Sequence, residues 1–201
     1  MANKNLNVSR ETMERLLEYQ SLVQKWTKKI NLVSAADVGV IWDRHIVDSV
    51  QVYQEAPSVG DWMDIGSGGG FPGIVAAILG LEQRPSRQFA LVDSDQRKCA
   101  FLRTVIRNLS LNAQVFASRV EEMAPFGAPV FSARAVSNLD TLLTHAERHM
   151  DPDGTAVFPK GARWKREHEE AQKYWSYSLR TVQSETNPDA TILVIKELQR
   201  V

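Results

Sequence analysis

The 201-residue chain has little of what would mark a secreted, membrane-spanning or metal-binding protein. Its one cysteine, Cys99, cannot form an internal disulfide, so a reducing, cytoplasmic location is expected. No apolar run approaches the roughly 18 residues that a membrane helix needs, and the N-terminus lacks the apolar core of a signal peptide. The four histidines have no partner cysteine cluster, so no metal site is predicted.

Net charge is also missing, because 24 basic and 24 acidic side chains cancel. A nucleic-acid-binding domain usually carries a basic excess, so any nucleic acid that this chain binds must meet a local basic patch. The composition, 43% apolar and 24% charged, is typical of a soluble globular protein. The length suits one substantial domain.

The spacing of apolar residues divides the chain into two parts. Steps of three and four residues predict amphipathic helices over 10–30 and 37–54, within an N-terminal helical extension of residues 1–58. Ser9 and Asp37 are placed to cap these helices. From 59 to 201, short apolar strands alternate with helices, which predicts one compact α/β domain with a doubly wound, Rossmann-like, mainly parallel sheet.

Seven strands are predicted in this domain, near 61–65, 88–93, 113–117, 129–133, 155–159, 178–183 and 191–197. Helices are predicted between them, near 72–79, 95–110, 138–149 and 162–175. Because no helix separates the last two strands, they are expected to form an antiparallel hairpin at one edge of the sheet. Ligands of such sheets bind beyond the carboxyl ends of the strands, where the strand order reverses.

The segment from Asp64 to Gly73, DIGSGGGFPG, has five glycines in ten residues. Glycine serves where the backbone must adopt a positive φ or lie against a ligand. Two registers overlap in this segment. Gly68 to Gly73 matches G-x-G-x-x-G, the dinucleotide fingerprint, which would indicate an NAD-dependent oxidoreductase. The other register is an acid two residues before a glycine series: Asp64, Gly66, Gly68, Gly70.

The position of the predicted strand favours the second register. The strand ends just before Gly66, so Gly68 comes late for a dinucleotide loop, while Pro72 suits the first turn of the next helix. The second register resembles the first motif of class I S-adenosylmethionine-dependent methyltransferases, in which a nucleoside cofactor packs on bare backbone. Asp64 would then suit the ammonium group of the cofactor. Asp93, at the end of the next strand, is placed to accept from ribose hydroxyls in either register.

Further segments extend this resemblance over nearly the whole chain. They include Asn31-Leu-Val-Ser34, Arg44-His-Ile-Val-Asp-Ser49, Leu91-Val-Asp-Ser94, Ser118-Arg-Val-Glu-Glu122, Ala133-Arg-Ala135 and Lys160-Gly161. With the glycine loop, they resemble the RsmG or GidB family of bacterial 16S rRNA guanine-N7 methyltransferases. The resemblance implies transfer of a methyl group from S-adenosyl-L-methionine to N7 of a specific guanine in the small-subunit rRNA.

The resemblance also implies cofactor contacts, residue by residue. Gly66 and Phe71 match loop contacts to the cofactor, Val120 and Glu121 match residues beside the adenine, and Arg134 matches a further cofactor-site position. No added RNA-binding domain is recognisable and the net charge is zero. The expected substrate is therefore 16S rRNA within the 30S subunit or an assembly intermediate, bound by a monomer.

Guanine N7 carries a lone pair and no proton, so no general base is needed and none is assigned. Positioning alone can lower such a barrier by ~7–11 kcal/mol. Arg134 and Lys160, which follow the fourth and fifth strands, are predicted to position the guanine. Arg119, Lys160 and Arg163 are predicted to contact RNA. The alternative for Arg134 and Lys160 is a surface ion pair with a nearby acid, and the alternative for Arg163 is a solvated helix face.

Two other readings of the sequence stay open. One is the NAD-dependent oxidoreductase of the overlapping register, although no hydride-handling constellation accompanies it. The other is a non-catalytic ribosome-binding protein that retains a cofactor fold. His45 and Asp48 are interpreted as part of a polar seam between the extension and the cofactor domain, with His45 packed and hydrogen-bonded there.

Overall fold

Strands and helices alternate from residue 62 onward in the computed structural model, which describes residues 6–201. The strands β1 to β7 span Trp62–Ile65, Phe89–Asp93, Ala113–Ala117, Ala128–Ala133, Met150–Lys160, Trp175–Gln183 and Thr191–Arg200. The α-helices α1 to α6 span Arg10–Thr27, Asp48–Glu55, Gly73–Gln83, Gln96–Leu109, Leu139–His149 and Trp164–Ala171. The predicted strands and the helices between them are therefore present, with bounds that differ by at most five residues.

All seven strands form one sheet in the order β3-β2-β1-β4-β5-β7-β6. The first five run parallel to one another, and β7 lies antiparallel between β5 and β6. The doubly wound sheet and its antiparallel C-terminal hairpin are thus confirmed. The order reverses between β1 and β4, so the glycine loop that follows β1 lies at the switch point where such sheets bind ligands.

The N-terminal extension is less regular than its apolar spacing predicts. Helix α1 begins as expected, because the Ser9 side chain accepts a hydrogen bond from the Thr12 amide. The second predicted helix is divided into a 3-10 turn at Val38–Val40, a π-helical stretch at Trp42–Val47 and α2. The prediction that Asp37 caps it is wrong, since its carboxylate instead accepts from Ser34 Oγ at 2.6 Å and Arg44 at 3.1 Å.

Two apolar layers cover the two faces of the sheet. Successive side chains of a strand point to opposite faces, so Trp62 lies in one layer and Met63 in the other. The Trp62 layer also contains Leu16 and Tyr19 of α1, both fully buried. The extension therefore shares a hydrophobic core with the sheet and is packed against the domain that carries the glycine loop.

Strand β5 begins five residues before its predicted start. Met150 pairs with Ala128, and the register then shifts by a bulge before the regular pairing of Val130 with Thr155. The intervening Asp-Pro-Asp-Gly sequence has the composition of a turn, so the early start of the strand was not predicted. Among residues 6–201, no helix is both long and apolar enough to cross a membrane, and no cluster of potential metal ligands is found.

Candidate functional site

The glycine loop is held by hydrogen bonds to the ends of β1 and β2. Ser67 donates its amide to the Val92 carbonyl at 3.0 Å and its hydroxyl to the Asp64 carbonyl at 2.8 Å. The Gly68 amide donates to the Asp93 carboxylate at 2.8 Å. These bonds fix the loop to the ends of two neighbouring strands.

Two of its positions require glycine for reasons visible in the structure. Gly66 and Gly70 have φ values of +58° and +92°, which side chains rarely allow. A Cβ on Gly70 would lie 2.5 Å from Ile74, and one on Gly66 would lie 2.4 Å from Val136. The loop is therefore closely packed underneath by α3 and alongside by the segment after β4.

Asp93 lies where it was expected, at the end of β2 beside the loop. Its side chain accepts from the amides of Gly68 and Asp95, each at 2.8 Å and each on a different oxygen. A carboxylate oxygen has two lone pairs, so one acceptor position remains on each oxygen. This geometry fits a carboxylate that also receives hydroxyl groups of a nucleoside, although Asp93 itself is 8% exposed.

Asp64 lies beneath the loop and is fully buried. Its carboxylate accepts from Ser132 Oγ at 2.6 Å, and Ser132 in turn accepts from Trp62 Nε1 at 2.7 Å. Burial raises the pKa of Asp64 to about 6, against hydrogen bonds that lower it. Asp64 is not part of the cavity wall described below, so its contact with an ammonium group stays a prediction.

A cavity of about 850 Å³ adjoins the loop. This volume lies within the roughly 300–1,000 Å³ range of small-molecule sites. Four parts of the described chain form most of its wall: residues 32–33 with 44, 45 and 48, the loop residues 66–69 and 71, the segment 134–138 and the segment 159–163. Lys98, Glu167, Asn187 and Ala190 also contribute to it. The predicted residues Gly66, Gly68, Phe71, Arg134, Lys160 and Arg163 all lie in this wall.

Phe71 is the aromatic centre of that wall. Its ring centroid lies 5.2 Å from that of Tyr19, 5.0 Å from that of His45 and 4.9 Å from the guanidinium carbon of Arg134. The last distance is that of a cation–π interaction. Burial lowers the pKa of Arg134, an effect offset by Tyr19 and by nearby carboxylates. An arginine stays charged in proteins, so Arg134 brings a poorly solvated cation to the cavity.

Lys160 is both in the wall and in an ion pair. Its Nζ lies 2.6 Å from a carboxylate oxygen of Glu167 in α6 and donates to the Ser137 carbonyl at 3.1 Å. The lysine side chain is only 11% exposed. Lys160 therefore forms the ion pair that was considered as an alternative to a role in the site, and it also lies in the cavity wall. Glu167, which the sequence reasoning missed, also accepts from the Leu139 amide at 2.8 Å.

Five predicted residues lie outside this cavity wall: Asp64 and Asp93, which hold the loop, and Arg119, Val120 and Glu121, which follow β3. Arg119 is exposed, and Val120 and Glu121 form a short 3-10 turn after β3. His149 Nε2 lies 3.0 Å from the Val120 carbonyl, which connects the turn to α5. The structure thus brings six of the predicted positions together, holds Asp93 against their loop, and leaves this turn and Arg119 at the periphery.

His45 departs from its interpretation in one respect. It packs on Phe71 as expected, but neither ring nitrogen has a hydrogen-bond partner within residues 6–201. The nearest acid oxygen, on Asp37, is 3.7 Å from Nε2. Burial and the charge of Arg134 lower the pKa of His45 to about 4, so the ring is neutral at physiological pH. The polar seam itself is present, because Asp48 accepts from Ser184 and Thr186.

The strand order, the glycine loop after β1 and the carboxylate at the end of β2 define the fold of class I S-adenosylmethionine-dependent methyltransferases. Solved structures share it. A TehB-like SAM-dependent methyltransferase from Corynebacterium glutamicum has a TM-score of 0.60 at 14% identity, covering 90% of this chain and 98% of its own. M. jannaschii TYW2 in complex with AdoMet also reaches 0.60, at 13% identity, covering 87% and 80%. Such identities establish the fold alone.

Sequence similarity identifies the family. A family model described as GidB, rRNA small subunit methyltransferase G, matches residues 12–191. The "Ribosomal RNA small subunit methyltransferase G" of Ruegeria pomeroyi is 50% identical over 196 residues, 98% of this chain and 96% of its own. That of Granulibacter bethesdensis is 45% identical over 195 residues, 96% and 89%. The chain belongs to the GidB family of small-subunit rRNA methyltransferases.

This membership confirms the predicted family and the class of S-adenosylmethionine-dependent rRNA methyltransferases. It excludes the hypothesis of an NAD-dependent oxidoreductase, which was based on the dinucleotide register of the glycine loop. The cavity and its loop fit the cofactor, because bare backbone and an aromatic ring line the wall, and Asp93, held against the loop, has unused acceptor positions.

Proposed function

We propose that this chain transfers a methyl group from S-adenosylmethionine to N7 of one guanine in 16S rRNA, presented within the 30S subunit or an assembly intermediate. One observation carries the proposal: a single cavity joins the glycine loop on one side to Arg134 and to the Lys160–Glu167 pair on the other. The proposal includes a cytoplasmic location and a monomeric enzyme.

The chain's own residues divide the work of binding the cofactor. Gly66 and Gly68 offer backbone, Phe71 offers an aromatic face, and Asp93 offers acceptor oxygens for ribose hydroxyls. Val120 and Glu121 would lie beside the adenine, and Asp64 supports the loop from below. When bound, S-adenosylmethionine supplies an electrophilic methyl group.

Guanine N7 can accept a methyl group directly because its lone pair is free. The chain must therefore place the base and exclude water, and it needs no proton acceptor. The base becomes positively charged as it gains the methyl group. The Lys160–Glu167 pair suits this change. Its ammonium can donate to an oxygen of the base or a phosphate, and its negative carboxylate can stabilise the positive charge that forms on the base.

The RNA contact must come from a few cations, because the net charge is zero. Arg163 is exposed at the cavity wall, and Arg119 is exposed after β3. So few phosphate contacts make binding to naked RNA weak. A folded ribosomal particle, which offers additional surface, is therefore the proposed substrate.

Methyl transfer from labelled S-adenosylmethionine to 30S particles, naked 16S rRNA and unrelated RNA tests the proposal. Label is expected in the 16S rRNA of particles, at one N7-methylguanine mapped by chemical strand cleavage. If no RNA is labelled while the protein still binds 30S particles, the chain is a non-catalytic ribosome-binding protein and the proposal fails.

The role of Lys160 is tested by Lys160→Ala, for which methylation should be lost while circular dichroism shows a folded protein. Lys165→Ala is the matched control, because Lys165 is exposed and lies over Trp164 at 5.7 Å, outside the cavity wall. It should retain full activity. Normal activity of the Lys160 variant would contradict its assignment to the site.

A further inference from the structure

The glycine loop is also held from the N-terminal extension. Tyr19 of α1 is fully buried, and its hydroxyl donates to the Gly69 carbonyl at 2.5 Å. The two residues are 50 positions apart in the chain. The Tyr19 ring also contacts Phe71, with centroids 5.2 Å apart. One side chain therefore touches both the backbone and the aromatic residue of the loop.

We propose that Tyr19 is a positioning residue for S-adenosylmethionine, acting by fixing the Gly69 peptide and the Phe71 ring against which the cofactor packs. The inference rests on the proposed function of this loop. Tyr19 itself is absent from the cavity wall, so its effect passes through the two loop residues.

The hydrogen bond lies within a close contact between the phenol and the loop. A Cβ built on Gly70 would come within 2.9 Å of the Tyr19 hydroxyl oxygen, so the loop and the phenol are in close contact. Burial raises the pKa of the Tyr19 phenol, which keeps the hydroxyl protonated and able to donate at physiological pH. Without that hydroxyl, the Gly69 carbonyl would lose its donor inside the protein, which is costly for a buried acceptor.

A second contact shows that the extension restrains the loop at more than one point. The Leu32 carbonyl oxygen would lie 3.1 Å from a Cβ on Gly69, so the chain after α1 lies directly on the loop. The Phe71 ring then carries the restraint onward, because His45 and Arg134 pack on it. A shift of the loop would thus reach the cavity wall, where the cofactor binds.

The test is Tyr19→Phe, which keeps the ring and removes only the hydroxyl. The Kd for S-adenosylhomocysteine, measured by calorimetry, and the KM for S-adenosylmethionine should each rise about tenfold, as expected for one lost buried hydrogen bond. At saturating cofactor, kcat on 30S particles should change little. Amide hydrogen exchange of residues 66–70 should become faster.

Tyr53→Phe is the matched control. Tyr53 is also buried, with its ring stacked on Trp62 at 5.9 Å. Within residues 6–201, no hydrogen bond or ring contact joins Tyr53 to the glycine loop. Its variant should bind S-adenosylhomocysteine like the wild type. Both variants are compared well below their melting temperatures, with the folded fraction checked by circular dichroism.

A merely structural role for Tyr19 would lower the melting temperature and leave Kd, KM and loop exchange unchanged, and this result would overturn the inference. An equal loss of affinity in Tyr53→Phe would also overturn it. A wild-type protein that fails to bind S-adenosylhomocysteine would instead overturn the proposed function of the loop. The two failures are therefore distinguishable.

Discussion

The two facing walls of the cavity differ in composition: one is formed mainly by backbone and the other mainly by side chains. The glycine-loop wall is mostly backbone, with the Phe71 ring as its one large side chain, and it is fixed by bonds to Val92, Asp64 and Asp93. The facing wall, at 134–138 and 159–163, presents side chains such as Arg134 and Lys160, positioned by packing and an ion pair. The backbone wall requires glycine at particular positions of the sequence. The side-chain wall instead depends on distant residues that hold its side chains in place.

The largest effect is expected on the backbone wall, from Gly70→Ala. The new Cβ would meet Ile74 and the Tyr19 hydroxyl, at a residue whose φ is +92°. Strain and overpacking together should destabilise the protein by about 2–5 kcal/mol. Urea unfolding measures this change.

Gly39→Ala provides the control for that substitution. A Cβ on Gly39 would have no heavy atom within 4 Å. Its stability should stay within about 1 kcal/mol of the wild type. Similar losses in the two variants would mean that the loop does not need glycine at position 70.

An intermediate effect is expected from His45→Gln, where the walls meet at Phe71. The pKa of His45 is lowered from 6.5 to about 4, so the neutral ring contributes stability that is complete above pH 6.5 and is lost as the pH falls toward 4. At about 1.4 kcal/mol per pKa unit, this amounts to roughly 3 kcal/mol. The variant should lack this part of the acid destabilisation.

Asp64 changes stability in the opposite sense. Its raised pKa of about 6 gives a contribution that is present below pH 3.8 and lost as the pH rises through 6. Since Asp64 is present in both proteins, the difference between wild type and His45→Gln isolates the histidine. Urea titrations at pH 7.5, 5.5 and 4.5 measure it, and equal pH dependence would show that the His45 ring is not kept neutral.

The smallest effect is expected on the outer side of α6, from Arg166→Ala. Arg166 pairs with Glu170 at 3.0 Å, but their side chains are 82% and 56% exposed. Such a pair contributes only about 0.3–0.5 kcal/mol. Stability and methylation should stay near wild-type values, in contrast to the wall-facing side of the same helix, where Glu167 holds Lys160. A large loss of activity would mean that Arg166, outside the cavity, also contributes to binding the substrate.

Most of the fold was predictable because alternation and capping are local signals. The strands, the Ser9 cap and the C-terminal hairpin follow from residues close together in sequence. The π-helical stretch at Trp42–Val47 was not predictable, since apolar spacing does not distinguish its hydrogen bonds from those of an α-helix. Asp37 was misassigned as a cap because a nearby cation, Arg44, competes for its carboxylate.

The residues of the candidate site were largely predictable, including Arg134 and Lys160 after the fourth and fifth strands, but the partners of their side chains were not. Glycine spacing and the acid at the end of β2 located the loop and Asp93. The contacts of Tyr19 with Gly69 and of Glu167 with Lys160 depend on how distant elements pack. Burial of Asp64 had a usable signal, because period-two alternation places it on the same face of β1 as Trp62, within the core.

The insertion of β7 between β5 and β6 has a consequence for the edges of the sheet. It makes β6 one edge strand of the sheet, while β3, with only five residues, forms the opposite edge. The pairing of β6 is interrupted between Ser176 and Ser178, and its Arg180 is drawn to Glu55 at 2.7 Å. Short length, an irregular ladder and an outward charge all discourage another strand from adding to a sheet. The hairpin that completes the fold thus ends the sheet in an edge that discourages the addition of another strand.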